Sequence, residues 1–121
     1  MKRTAVIGAT TNPSRYAFIA AEMLVEYGID IVLLGIKKGQ VAGQDIQDIR
    51  NFPDPGEIHT VTLYLGPANQ VPYYDYILSL KPKRIIFNPG TENPEFERMA
   101  RERDIEVDEA CTLVMLRVGL Y

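Results

Sequence analysis

The residues with the clearest chemical potential lie in one loop near the start of the chain. An apolar run, Thr4-Ala5-Val6-Ile7, stops at Gly8-Ala9-Thr10-Thr11-Asn12-Pro13-Ser14, and a helix is predicted to follow. The first turn of a helix carries N–H groups without intrahelical partners and the positive end of the macrodipole. A loop that leads from a buried strand into such a turn is a ready site for an anion. The sequence therefore predicts phosphate binding at residues 8–14.

Details of this loop and of the next strand end narrow the type of ligand. A dinucleotide-binding loop needs three glycines, of which only Gly8 is present. NAD-binding folds end their second strand at an acidic residue, whereas here that strand is followed by Gly35-Ile36-Lys37-Lys38. Lysines at this place suit a phosphorylated ribose, as in NADP or coenzyme A. On the residues alone, two alternatives stay open: a strand–helix junction without a ligand, capped by Asn12 with Pro13 as the first helical residue, and lysines that are only solvated.

Length and composition exclude several classes of protein. The chain has 121 residues, which we expect to form one domain (1–121) around a single core. Its formal net charge of -3 argues against a general nucleic-acid binder, which requires a basic face. No apolar run reaches the length of a membrane span, and the single Cys111 excludes an internal disulfide or a cysteine-clustered metal site. We therefore expect a cytoplasmic protein that binds neither nucleic acid nor membranes.

Short apolar runs alternate with amphipathic segments along the chain. Strands are predicted at residues 4–7, 29–34, 59–65, 84–87 and 105–107, and helical segments at residues 14–27, 67–80, 95–103 and 110–116. Residues 44–49 fit either a turn of helix or a short ribbon. This alternation is typical of βαβ units. It predicts an α/β fold with a doubly wound parallel sheet of about five strands and helices on both faces.

Three strand ends of this predicted sheet carry glycine together with proline. They are residues 8–14, 65–67 and 88–93. The carboxyl ends of parallel strands meet at one edge of the sheet, where ligands of open α/β folds bind. Backbone N–H groups of several such loops can hold a pyrophosphate while apolar side chains flank a base.

Three blocks of the sequence resemble the small stand-alone CoA-binding proteins. The blocks are VIGATTNPSRY (6–16), LYLGP (63–67) and IFNPGTEN (86–93), in this order. This family is similar to the CoA-binding domain of the succinyl-CoA synthetase alpha subunit and of NDP-forming acyl-CoA synthetases. The resemblance covers nearly the whole chain. It implies a Rossmann-like domain that binds coenzyme A as its cofactor at the carboxyl edge of the sheet.

The resemblance also implies which residues contact the ligand. The first loop would hold the pyrophosphate, with Arg15 and Tyr16 at its rim. Lys38 would lie near the adenosine, the segment 65–67 would pack along the nucleotide, and the segment 88–90 would line the pantetheine side. The implied cofactor-binding residues are Gly8, Ala9, Thr10, Asn12, Pro13, Ser14, Arg15, Tyr16, Lys38, Leu65, Gly66, Pro67, Asn88, Pro89 and Gly90.

Three reactive side chains are candidates for catalysis, each with a structural alternative. His59 precedes a predicted strand at the amino edge of the sheet, away from the predicted ligand, which favours a surface histidine. Glu92 is a candidate acid or base, but an acid before a helix is more often a capping residue. Cys111 is a candidate for a mixed disulfide with coenzyme A, although its apolar neighbours favour an inert thiol. We assign no catalytic residue and no metal ligand.

The sequence thus predicts a module that binds coenzyme A or acyl-CoA, without catalysis of its own, and that serves an enzyme partner in trans. A small NADP-dependent oxidoreductase is one alternative, but the chain has no Tyr-x-x-x-Lys pair to donate a proton. A protein-interaction module that has lost its ligand is another. The apolar residues 118–121 also suggest a contact in a homodimer.

Overall fold

A central sheet organises the molecule, which is described by a computed structural model over residues 2–121. The strands lie in the order β3-β4-β2-β1-β5-β6-β7, and every neighbouring pair is parallel except β3 with β4. Their bounds are β1 Thr4–Ile7, β2 Ile31–Gly35, β3 Gln40–Val41, β4 Gln44–Asp48, β5 Thr60–Leu63, β6 Arg84–Phe87 and β7 Glu106–Glu109.

Helices cover both faces of this sheet. One apolar core lies between the sheet and helices α1 and α5, and the other between the sheet and helices α3 and α4. In residues 2–121, no helix combines the length and apolar character needed to cross a membrane. The bounds are α1 Tyr16–Glu26, α2 Pro67–Gln70, α3 Tyr74–Ser79, α4 Pro94–Arg101 and α5 Thr112–Arg117, with 3-10 turns at Ile49–Asn51 and Val71–Tyr73. The predicted α/β class with helices on both faces is confirmed.

Strands β1, β2, β5 and β6 are buried along their whole length. Alternate side chains enter opposite cores: Ile7 and Leu34 pack on the side of α3 and α4, whereas Val6 and Leu33 pack on the side of α1 and α5. A strand covered on both faces has no polar face, so its sequence is an almost continuous apolar run. This is why these strands are prominent in the sequence.

The sheet has two more strands than predicted, because residues 40–48 form a ribbon. Ala42 and Gly43 both have positive φ, of 53° and 80°, between Val41 and Gln44. Two consecutive residues of this kind make the tight hairpin turn whose twist suits antiparallel strands. β4 then pairs in parallel with β2, with Leu33 opposite Ile46. Of the two alternatives for residues 44–49, the ribbon is correct.

The start of α1 corrects one sequence prediction. Asn12 was expected to cap a helix whose first residue is Pro13, but α1 begins at Tyr16 and Arg15 precedes it. The Asn12 carbonyl side chain instead accepts hydrogen bonds from the N–H and the hydroxyl of Ser14, at 3.0 and 2.7 Å. Asn12 therefore stabilises a separate turn between β1 and α1, because its short side chain reaches the backbone two residues later.

The edge strand β7 is rich in carboxylates. Glu106 and Glu109 are exposed, and Asp108 is half-buried. A hydrogen bond with Asp108 and the charge of that neighbour raise the pKa of Glu106. Like charges along an unpaired edge oppose the addition of another strand.

The last residues of the chain lie at the amino edge of the sheet. Tyr121 stacks on the guanidinium of Arg84, with 4.3 Å between the guanidinium carbon and the ring centroid, and its hydroxyl hydrogen-bonds to Thr4. Val118 and Leu120 remain exposed. The homodimer contact at residues 118–121 stays a prediction.

Gly35 allows β2 to approach the first loop closely. A β-carbon at this position would lie 2.5 Å from the carbonyl oxygen and 3.1 Å from the nitrogen of Ala9. Both atoms belong to backbone, so neither can move aside without displacing the loop. Absence of a side chain at Gly35 is thus required by the contact between β2 and the loop.

We predict that Gly35→Ala destabilises the protein by about 1–3 kcal/mol, as expected for overpacking against a fixed backbone. The measurement is the free energy of unfolding from urea titration. Gly66→Ala is the matched control, because a β-carbon there meets no atom within 4 Å, and its loss should stay under about 1 kcal/mol. Equal stability of the Gly35→Ala protein and the wild type would contradict the steric argument.

Candidate functional site

A cleft of about 940 Å³ opens at the carboxyl edge of the sheet. It lies where the loops after β1, β2, β5 and β6 meet, as the three glycine- and proline-containing strand ends predicted. The lining residues are Gly8, Ala9, Thr10, Thr11, Asn12, Arg15, Tyr16, Ala17, Gly35, Ile36, Lys37, Ile49, Tyr64, Leu65, Gly66, Asn69, Pro72, Tyr73, Pro89, Gly90 and Thr91.

Most of the residues expected to contact a ligand line this cleft. Those that do are Gly8, Ala9, Thr10, Asn12, Arg15, Tyr16, Leu65, Gly66, Pro89 and Gly90. Those that lie outside its lining are Pro13, Ser14, Lys38, Pro67 and Asn88. The structure therefore brings all three predicted loops together at the cleft, but only part of the residues in each loop line it.

The beginning of the first loop is fixed to the neighbouring strand. The N–H groups of Gly8 and Ala9 both donate to the carbonyl of Leu34, at 2.8 and 3.0 Å. Gly8 adopts a φ of 95°, a conformation that residues with a β-carbon rarely adopt. These two N–H groups are therefore occupied within the protein.

Free N–H groups occur a little further along the same loop. Within residues 2–121, the N–H groups of Thr10, Thr11, Tyr16 and Ala17 make no hydrogen bond to another protein group. All four residues line the cleft. Tyr16 and Ala17 open the eleven-residue helix α1, so their N–H groups add to its positive end. This arrangement is suited to a phosphate group.

The charged residues in the lining are both cationic. They are Arg15 and Lys37, and no aspartate or glutamate belongs to the lining among the described residues. The whole chain carries a formal net charge of -3. An acidic protein with a cleft that presents only positive charge attracts anions to that cleft.

Apolar and aromatic side chains border the cleft beside these charges. Tyr16 is 70% exposed and Ile36 is 55% exposed, although both are large apolar groups. Tyr73, which is half-buried, contributes further apolar surface. An exposed apolar rim next to hydrogen-bond donors is the usual composition of a small-molecule site.

Asn88 has a structural position beneath the cleft. It is 2% exposed. Its side-chain amide donates to the Thr62 hydroxyl at 2.8 Å and to the Leu63 carbonyl at 3.0 Å, and its oxygen accepts from the Thr112 N–H at 2.9 Å. All of these partners belong to the protein, so Asn88 connects β5, β6 and α5 rather than facing the cavity.

Several lining residues are not among the ligand contacts that the family resemblance implies, although Thr11 and Lys37 lie in segments that the sequence had already indicated. They are Thr11, Ala17, Gly35, Ile36, Lys37, Ile49, Tyr64, Asn69, Pro72, Tyr73 and Thr91. Lys37 and Lys38 are adjacent, and only the geometry of the loop shows which of them borders the cleft. Ile49 follows β4, a strand whose existence the sequence left open. Tyr73 is close in sequence to Tyr74 and Tyr76, and only Tyr73 of the three lines the cleft.

The three reactive side chains lie outside the lining of the cleft. Cys111 is half-buried and precedes α5. One carboxylate oxygen of Glu92 accepts a hydrogen bond from the Gly90 N–H at 2.8 Å, so Glu92 stabilises the loop after β6. Tyr64 does line the cleft, but burial raises its pKa to about 12, which makes its hydroxyl still harder to deprotonate than that of an ordinary tyrosine. In residues 2–121, no group of three or more His, Cys, Asp or Glu side chains is arranged to hold a metal ion.

His59 lies at the opposite, amino edge of the sheet, directly before β5. Its Nδ1 atom is 2.7 Å from the Thr60 hydroxyl. Burial and the positive charge of Arg84 lower the pKa of His59 below its ordinary value of 6.5. The folded protein therefore favours the neutral imidazole.

This shift predicts a dependence of stability on pH. Because the unfolded chain binds the proton more readily, the stability contributed by neutral His59 is fully present above about pH 6.5 and is lost as the pH falls from there through the lower pKa of the folded protein. The free energy of unfolding should decrease between pH 7.5 and 5.5, and His59→Gln should reduce this decrease. The measurement is urea unfolding at both pH values; identical decreases in the two proteins would contradict the assignment.

Comparison with known proteins identifies the family of this chain. A family model described as CoA binding domain matches residues 2–117. No curated protein matches the sequence significantly. A crystal structure of an uncharacterized protein has 50% sequence identity and a TM-score of 0.95, covering 100% of this chain and 98% of that chain.

Two further solved structures extend the comparison. The protein called cell-free ID.343 from Thermus thermophilus has 24% identity and a TM-score of 0.83, with coverage of 99% of this chain and 90% of that chain. The dinucleotide forming acetyl-coenzyme A synthetase 1 of Ca. Korarchaeum cryptofilum has 17% identity and a TM-score of 0.70, with coverage of 88% and 25%. At these identities the likeness concerns the fold, and it confirms the predicted Rossmann-like architecture.

Proposed function

This chain belongs to the CoA-binding domain family, and on that premise we propose that it binds coenzyme A or an acyl-CoA in the cleft at the carboxyl edge of its sheet. The observation that carries the proposal is the composition of the cleft. It combines unpaired N–H groups at the start of α1 with two cationic side chains and no carboxylate among the described lining residues. A polyanion with an apolar tail is complementary to this surface.

The proposed placement follows from the donors that remain free. The pyrophosphate would accept hydrogen bonds from the N–H groups of Thr10, Thr11, Tyr16 and Ala17, while Gly8 and Ala9 shape the loop. Arg15, exposed at the rim, would add a positive charge to this end. This assigns the pyrophosphate to the later part of the loop, because the earlier N–H groups already donate to Leu34.

The two ends of the ligand would occupy opposite sides of the cleft. Ile36 and Lys37, after β2, would receive the adenosine and its 3'-phosphate. Leu65 with Gly66, and Pro89 with Gly90, would border the pantetheine arm. Lys38 would contribute only general positive charge near the adenosine end, since it is exposed and outside the lining.

We propose that binding, rather than catalysis, is the role of the chain by itself, so that an enzyme in trans would act on the ligand. The ionisable residues that border the cleft are Arg15, Tyr16, Lys37, Tyr64 and Tyr73. Nucleophilic and general-base catalysis ordinarily use a Cys, Ser, His or carboxylate held against a second group. No such pair borders the cleft among the described residues.

Calorimetric titration with coenzyme A, dephospho-coenzyme A and NADP tests the proposal. These ligands share an adenosine diphosphate core but differ in the ribose phosphate and in the tail. We expect coenzyme A to bind more tightly than dephospho-coenzyme A and than NADP. Preferred binding of NADP would favour the oxidoreductase alternative, and absence of binding by all three would overturn the proposal and favour a protein-interaction module.

Adjacent lysines provide a matched pair of variants for the adenosine end. Lys37→Ala should weaken binding of coenzyme A by roughly three- to tenfold, or about 0.7–1.4 kcal/mol, through loss of one partly exposed charge contact. Binding of dephospho-coenzyme A should change less than twofold. Lys38→Ala is the control, because it removes the same charge from the same loop outside the cleft. Equal losses in the two variants would show a general electrostatic effect and contradict the contact with Lys37.

A further inference from the structure

A buried polar network lies behind two walls of the cleft, and Gln70 is at its centre. Gln70 is the last residue of α2 and is 0% exposed. Its side-chain amide donates to the carbonyl of Leu65 at 2.8 Å and to the carbonyl of Thr91 at 2.8 Å. Leu65 follows β5 and Thr91 follows β6, and both residues line the cleft. One side chain therefore joins the two loops.

The acceptor oxygen of Gln70 is also occupied. Asn93 donates its side-chain amide to this oxygen at 2.9 Å and to the hydroxyl of Tyr74 at 2.7 Å. Asn93 is 6% exposed and caps α4, since its side-chain oxygen accepts from the Phe96 N–H at 3.2 Å. The network thus extends from α2 to the starts of α3 and α4.

Helix α4 holds Asn93 in a fixed orientation. The Asn93 backbone N–H donates to a carboxylate oxygen of the buried Glu97 at 2.9 Å. The ring of Tyr74, whose hydroxyl accepts from Asn93, stacks on Phe96 with 4.4 Å between centroids. The Gln70 amide has a partner inside the core for each of its two donor hydrogens and for its acceptor oxygen. The Asn93 amide likewise has a partner for each of its two donor hydrogens. A fully paired buried network is rigid and specifies one arrangement of the groups that it joins.

We propose that Gln70 is a positioning residue for the ligand, which sets the distance between the loop at residues 65–66 and the loop at residues 89–91. This inference rests on the proposed function, because the two loops are those assigned to the pantetheine arm. Gln70 itself lies behind the lining and touches no part of the cleft surface. It acts through Leu65 and Thr91. The adenosine end, at Ile36 and Lys37, does not depend on it.

The test compares two ligands on one variant. Gln70→Met keeps the length and volume of the side chain but removes all three hydrogen bonds. We expect it to weaken binding of coenzyme A about tenfold, while binding of adenosine 3',5'-bisphosphate, which lacks the pantetheine arm and the phosphate that carries it, changes less than twofold. A loss of stability alone would lower both affinities together or neither, and either of those results would overturn the inference.

Two more variants keep the test decisive. Tyr74→Phe removes only the outer hydroxyl of the network and keeps the stacking on Phe96, so it answers the question if Gln70→Met does not fold. It should weaken coenzyme A about threefold and leave the bisphosphate unchanged; no difference between the ligands would contradict the role. Tyr76→Phe is the control, because it removes a hydrogen bond from the same helix to the Pro53 carbonyl, outside the network. It should affect neither ligand.

A measurement without ligand separates this inference from the proposed function. In the free protein, Gln70→Met should accelerate hydrogen exchange at the Gly90 and Thr91 amides relative to wild type and to Tyr76→Phe. Unchanged exchange would overturn the positioning role even if coenzyme A binds. Faster exchange together with a wild-type protein that binds no coenzyme A would instead overturn the proposed ligand and retain the function of Gln70 in joining the loops.

Discussion

The carbonyl of Leu34 controls the geometry of the first loop and, through it, the cleft. It accepts hydrogen bonds from the N–H groups of both Gly8 and Ala9. That double contact draws the loop against the end of β2 so closely that only glycine fits at position 35. With the first two N–H groups consumed, the chain turns away from the sheet, and the next donors are free. The place where the loop offers free donors is therefore determined by where its internal hydrogen bonds end.

The rest of the cleft shows how an acidic chain can present a positively charged surface. The net charge of -3 arises from residues elsewhere, including the carboxylates of β7, whereas Arg15 and Lys37 are the charged groups of the lining. Separation of charge across the molecule lets the cleft remain positive while the protein stays acidic overall. Nearer the cleft, Asp48 is paired with Arg50, at 2.8 Å between a carboxylate oxygen and a guanidinium nitrogen, and this pairing limits the effect of the carboxylate on the neighbouring Lys38.

The central strands were predicted well because a parallel sheet with both faces covered requires apolar strands. β1 and β6 were predicted with the bounds that the structure has, because strands buried on both faces are almost continuously apolar, and only their first residues, Thr4 and Arg84, are polar. The convergence of three loops followed from the topology alone. In contrast, β3 is only two residues long. The turn that follows it needs a positive φ at Ala42, and alanine is not a residue type that predicts a positive φ. The sequence did not predict a role for Gln70, because a glutamine at the end of a four-residue helix has no distinctive pattern. Its contacts with the carbonyls of Leu65 and Thr91 follow only from the folded arrangement of the two loops.

The two ends of the sheet have a consequence for how molecules of this chain can meet. At one end β4 is covered by the two-residue β3, which runs antiparallel and is too short to template a further strand. At the other end, β7 presents Glu106 and Glu109 to solvent. Neither border therefore favours the addition of a strand from a second copy of this chain.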